Sequence, residues 1–107
     1  MSEEWLDEDG YPTEAALDKI ATWDAKDPKG CLDFARSLWC WPDRVWIEHR
    51  QHDWKKDEKI DIICFSTGGW SGNESLVAAL QDNFGVMLMW YLSKRGGRHE
   101  FEYRNFE

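Results

Sequence analysis

The run Ser66-Thr67-Gly68-Gly69-Trp70-Ser71-Gly72-Asn73-Glu74 has the residue types and spacing best suited to ligand chemistry. Glycines at 68, 69 and 72 let a backbone come close to a bound group. Trp70 between them can stack on a ring or cover a pocket. A helix beginning in this run presents free N–H groups and a partial positive charge to an anion. The later turn Lys94-Arg95-Gly96-Gly97-Arg98-His99 supplies cations that pair with carboxylate or phosphate. Gly68, Gly69, Trp70, Ser71, Gly72, Asn73, Lys94, Arg95 and Arg98 therefore form a candidate anion-binding set. The same residues also have a plain structural reading, in which the glycines reverse the chain, Ser71 and Asn73 cap a helix, and Trp70 packs into the core.

Several better-defined chemistries do not fit. No Lys-Ser or Lys-Thr pair follows the glycines, so the turn is not a Walker A loop. Gly69-Trp70-Ser71-Gly72 lacks the second spacer of a nucleophile elbow. His49, His52, Asp53, Cys64 and His99 are ligand types, but His49 and His52 stand three apart on a strand and point to opposite faces, so neither a metal nor a cofactor is expected. Ser66, Thr67 or Ser71 with His99 is the nearest approach to a nucleophile and base, and it has no evident third group to orient it. No catalytic residue is assigned.

Charge points to a different kind of partner. Across 107 residues the formal net charge is -8, which opposes general binding to a phosphate backbone and suits a basic protein surface, besides aiding solubility. Five acids lie between Glu3 and Asp9 with Trp5 and Leu6 among them, so residues 1–12 read as an acidic arm in which Trp5, Asp7, Glu8 and Asp9 are candidate partner contacts. Cys31, Cys40 and Cys64 are odd in number, lack CxxC spacing and read as small core residues. With no basic-then-apolar leader and no apolar run of membrane-spanning length, a cytoplasmic protein of one domain is expected. Oligomeric state is left open.

The elements that position these residues follow from periodicity. Thr13 caps a helix over 14–23 whose stripe is Ala16, Leu17, Ile20, Ala21 and Trp23. Asp27-Pro28 starts a second helix bearing Cys31, Phe34, Ala35 and Leu38, ended by Trp41-Pro42. From Arg44 the period becomes two: Val45, Ile47 and His49 alternate with Trp46, Glu48 and Arg50. Lys59 to Ser66 is a second strand. A third helix is capped by a Ser71–Glu74 capping box and stopped by Asn83 and Gly85. Val86 to Leu92 is apolar throughout and is predicted as a central strand. Gly96-Gly97 then turns a hairpin into a strand of His99, Phe101 and Tyr103. The fold class is α+β: two N-terminal helices, then β-β-α-β-β, with helices mainly on one face of a four-stranded sheet. A right-handed crossover would make strands two and three parallel neighbours and bring the 66–74 turn close to the 94–99 tip.

Three segments carry a resemblance. Asp9-Gly10-Tyr11-Pro12-Thr13-Glu14, the nine-residue turn, and Arg95-Gly96-Gly97 followed by Glu100-Phe101-Glu102 resemble a family of small uncharacterised proteins of bacteriophages and prophages. The likeness spans nearly the whole chain. Its hairpin departs from the family pattern Arg-Arg-Gly-Gly-His, with Lys94 and Arg98 as the changes. The resemblance implies a phage gene product in a bacterial cytoplasm and carries over no catalytic residue. The function expected is a non-enzymatic interaction protein that modulates or inhibits a host defence or nucleic-acid-binding protein. The alternative is a nucleotide-like anion-binding module or enzyme using residues 66–74 and 94–99.

Overall fold

Helix α1 spans Glu14–Ala21 and begins where the Thr13 hydroxyl accepts from Ala16 N at 3.2 Å. Asp27 does the same for α2, Pro28–Ser37, accepting from Gly30 N at 3.1 Å. A 3-10 turn, Pro42–Arg44, leads into β1 (Val45–Gln51). Then come β2 (Lys59–Ser66), α3 (Ser71–Asp82), α4 (Phe84–Leu88), β3 (Trp90–Lys94) and β4 (Arg98–Glu102). The computed structural model describes residues 5–51 and 59–104; His52, Asp53 and the first four residues of the arm lie outside that description.

The strands form one antiparallel sheet in the order β1-β2-β4-β3. Val45, Ile63, Phe65 and Phe101 share the face on which the helices lie, and they join Ile20, Leu32, Ala35, Leu76, Leu80 and Val86 in one buried cluster. The opposite face carries Trp46, Glu48 and Arg50 beside Ile62, Cys64 and Glu100. The α+β class, the four strands and the helix-covered face agree with the sequence prediction.

Three details do not. Val86 to Leu92 is not a central strand: its first residues belong to α4, and β3 begins at Trp90 on the sheet's edge. Asn83 explains the helical start. Its Oδ1 accepts from Val86 N at 3.0 Å, while its amide donates to the carbonyls of Ile20 and Trp23 at 2.9 and 3.0 Å. Val86 and Met89 are buried and Met87 and Leu88 exposed, the spacing of a helix lying on a core.

Strands β2 and β3 are also not neighbours, because β4 lies between them. Each is antiparallel to β4, so they still run the same way, and their carboxyl ends meet at one end of the sheet. Finally, α3 has no capping box. Trp70 occupies the cap position without a side-chain bond, because Gly68 and Gly69, at φ 63° and 79°, tighten the turn until Trp70 N bonds to Thr67 O and Ser71 becomes the first helical residue.

Candidate functional site

The turn after β2 is tied both to the β3–β4 hairpin and to the chain at Cys40. Thr67 N donates to Gly97 O at 3.0 Å, so the 66–74 turn and the 94–98 tip do touch, through β4. Gly97 sits at φ 85°, and a Cβ there would fall 2.0 Å from the Thr67 hydroxyl. Asn73 is fully buried: its Oδ1 accepts from Cys40 N at 2.9 Å and its amide donates to Cys40 O and Thr67 O, both at 3.2 Å. These bonds hold the chain at Cys40 against α3.

That anchoring sets up the arrangement at Trp41. This residue has φ 62°, the left-handed region that a bulky side chain enters at a cost of about 1–2 kcal/mol. Its ring lies over Gly68, where a Cβ would come within 2.7 Å of it. The Trp70 centroid is 6.4 Å from that of Trp41 and 4.6 Å from that of Tyr11. Trp70 itself is half-buried, its ring lying on Gly72, where a Cβ would approach it to 2.2 Å. Tyr11 and Trp41 remain 38% and 44% exposed, so three adjoining aromatic rings open to water at this end of the molecule. Arg44 stands 5.8 Å over the Trp41 ring, the geometry of a cation–π contact.

The acidic arm runs beside these rings. Leu6 bridges to Pro12, and the Asp7 carboxylate accepts from the N–H groups of Asp9 and Tyr11 at 2.9 and 3.0 Å. Asp7, Glu8 and Asp9 are exposed at the tip of this loop, next to Tyr11. Trp5 is placed otherwise: it packs edge-on against Phe34 at 5.2 Å with Lys19 over its ring, and so fastens the arm to the helices.

Of the three candidate cations, Lys94 and Arg95 are exposed at the hairpin, while Arg98 is committed to the sheet's other face. There Glu100, fully buried, stands 2.7 Å from Arg50 Nη1 and 2.6 Å from Arg98 Nε. Glu48 accepts from Arg50 at 2.5 Å, from Arg98 at 3.4 Å and from the Trp46 indole at 2.7 Å. Trp46 and Tyr91 lie under Arg98 and Arg50 at 5.2 and 5.6 Å. Burial acts to raise the Glu100 carboxyl, yet the two guanidinium groups hold it below the ordinary carboxylate range. The Trp46 and Arg50 hydrogen bonds lower Glu48 in the same way. Beneath them, burial followed by the Glu100 charge pushes the Cys64 thiol up to about 11, leaving it an unreactive core group.

His99 meets none of the hydroxyls considered for it from the sequence. Its Nδ1 is 2.9 Å from Ser93 Oγ, and that oxygen also accepts from the Trp90 indole at 2.9 Å. Burial lowers the His99 pKa, with Glu74 opposing the shift, and the Trp90, Ser93 and His99 side chains together tie β3 to β4. His49 pairs instead with Asp61 at 2.5 Å. Among the described residues no three His, Cys, Asp or Glu side chains gather as a metal site, and no helix is long and apolar enough to cross a membrane.

Comparison with protein-family models, with curated proteins and with solved structures gives no match. The site therefore rests on its own geometry. Of the proposed residues, the structure places Trp70, Gly68, Gly72 and the acids 7–9 around one end of the molecule. It adds Tyr11 and Trp41, which sequence reasoning used only as turn and helix-end signals. The available clue was the pairing of a large aromatic with proline at both Tyr11-Pro12 and Trp41-Pro42, which marks chain reversals and hence surface.

Proposed function

We propose that this protein is a non-enzymatic interaction module that covers a basic surface of a partner protein, with Tyr11, Trp41 and Trp70 as aromatic anchors and Asp7, Glu8 and Asp9 as an acidic rim. The observation that carries this reading is Trp41, a large ring kept 44% exposed on a backbone in the left-handed region. Strain of that kind persists where surrounding contacts impose it, and such positions concentrate at ligand-contact sites. Exposed rings backed by glycine are rigid, offer large area at small entropic cost, and present faces that attract Lys and Arg. The net charge of -8 adds long-range steering toward a cationic surface.

The resemblance to bacteriophage and prophage proteins gives the setting: a phage product in the bacterial cytoplasm acting on a host defence or nucleic-acid-binding protein, whose phosphate-binding face has the required charge. Affinity capture from bacterial lysate at low and moderate salt tests this. The parent is expected to retain a basic protein that a Tyr11→Ala, Trp41→Gly double variant releases. Equal retention by the double variant, or no retained protein at either salt, counts against the reading.

A further inference from the structure

A second surface lies at the far end of α3 from the aromatic rings. Helix α3 starts after Trp70 and passes into α4 through Asn83, so its 12 residues hold the two ends about 18 Å apart. There α4 turns Phe84, Met87 and Leu88 outward at helical spacing, with exposures of 73%, 38% and 54%. Trp90 follows at 46%; its pairing with Phe101 sets its side chain on the helix-covered side of the sheet, next to the end of α4. Core formation does not account for these side chains, since Val86 and Met89 already seat α4 on the interior. Together the four leave on the order of 400 Å² of apolar surface in water, a patch of the size that marks a contact surface.

The patch is also uncharged. From Asn83 to Ser93 there is no Asp, Glu, Lys, Arg or His, in a chain of which 32% is charged. The backbone at Ala25, which lies against Gly85, brings up Asp24 and Lys26, a pair of opposite sign. A strongly basic or acidic partner therefore finds no complementary charge on α4. A second copy of this chain is the occupant that such a surface suits: two molecules of net charge -8 repel each other, and they meet with least repulsion where neither carries an acid.

We infer that the α4 face is a self-association surface, across which two copies of this chain pack about a two-fold axis. The α4 helices lie antiparallel over that axis, with Phe84 of each copy against Leu88 of the other, Met87 near the axis and Trp90 toward the rim. Area agrees with this occupant. Two faces of about 400 Å² bury about 800 Å², and their polar margins bring the total to about 1,000 Å², enough for a specific but reversible dimer. Because the aromatic rings and the acidic loop stand at the other end of α3, the dimer leaves both copies of that site open and is bivalent toward a partner.

The test is sedimentation equilibrium of the full chain over a concentration series. A monomer–dimer equilibrium with Kd on the order of 10 μM is expected, and it should tighten as salt is raised, because screening removes the repulsion between two acidic chains. Leu88→Glu puts a charge on the axis-facing strip and should weaken the dimer about tenfold or more, and Phe84→Ser should act the same way. Both replace exposed side chains, so melting temperatures measured in dilute solution, where the parent is monomeric, should hold. The Tyr11→Ala, Trp41→Gly double variant should dimerise like the parent. A chain that stays monomeric up to about 1 mM overturns the proposal. So does a dimer that survives both α4 variants, loosens with salt or is lost in the Tyr11 and Trp41 variant, and so does a monomer that instead binds phosphatidylcholine vesicles through Leu88.

Discussion

Replacing Trp41 separates the two ways in which its ring can matter. With 44% of the residue exposed, slightly more than half of a large aromatic is covered, about 100 Å² of apolar surface. At about 25 cal/mol/Å², Trp41→Ala should lose about 2.5 kcal/mol. Trp41→Gly removes the same contacts but also releases the left-handed strain, which offsets about 1 kcal/mol and leaves a loss of about 1.5 kcal/mol. For a chain of this length the unfolding entropy is about 0.22 kcal/mol/K, so melting temperatures should fall by about 11 °C in the alanine variant and 7 °C in the glycine variant. Scanning calorimetry of the three proteins measures the difference. If alanine and glycine melt together, the strain argument fails. If the glycine variant loses more than about 4 kcal/mol, the ring is a core support and not a surface anchor.

Further expectations concern the rest of the molecule. Glu100→Gln leaves Arg50 and Arg98 facing a neutral group in a buried site; because both guanidinium groups keep some exposure, the loss should be near the lower end for a broken buried pair, about 3 kcal/mol or 13 °C, by thermal unfolding. Stability should fall in two steps on acidification. His99 is held below its ordinary 6.5, so its contribution is complete above that pH and declines below it, as the unfolded chain takes up the proton first; Glu48 and Glu100, held below 4.5, are lost only in the more acidic range. Urea unfolding at a series of pH values resolves the steps, and His99→Gln should remove the first alone. Gly72→Ala drives a methyl group into the Trp70 ring, so a red shift in tryptophan emission is expected from the ring's displacement toward water.

What the sequence made readable follows from local rules. Thr13 and Asp27 announce their helices because a side-chain oxygen three residues ahead of an amide acts without help from the rest of the chain. The alternation in β1 was equally plain. Val86 to Leu92 misled because a fully apolar run has no period to read, and its outcome depends on Asn83 reaching the carbonyls of Ile20 and Trp23, about sixty positions away. Contact between the two glycine turns was foreseen from the shared direction of β2 and β3, although β4 intervenes. The basic tip lost one of its members because Arg98 pairs with Glu100 two residues later, a same-face relation on a strand that the emphasis on the hairpin obscured. For Trp41 and Tyr11 the one local trace is the proline that follows each, a signal of chain reversal; the left-handed backbone and the aromatic stack arise only when distant segments meet.

The claim that three exposed rings and an acidic loop form a site for cationic partners is tested most directly by titrating an arginine-rich peptide into the parent and into a Tyr11→Ala, Trp41→Gly double variant across a salt series. The account predicts salt-sensitive binding to the parent and a loss of about tenfold or more in the variant at low salt, with the variant still folded. Equal affinity of the two proteins for the peptide would contradict it.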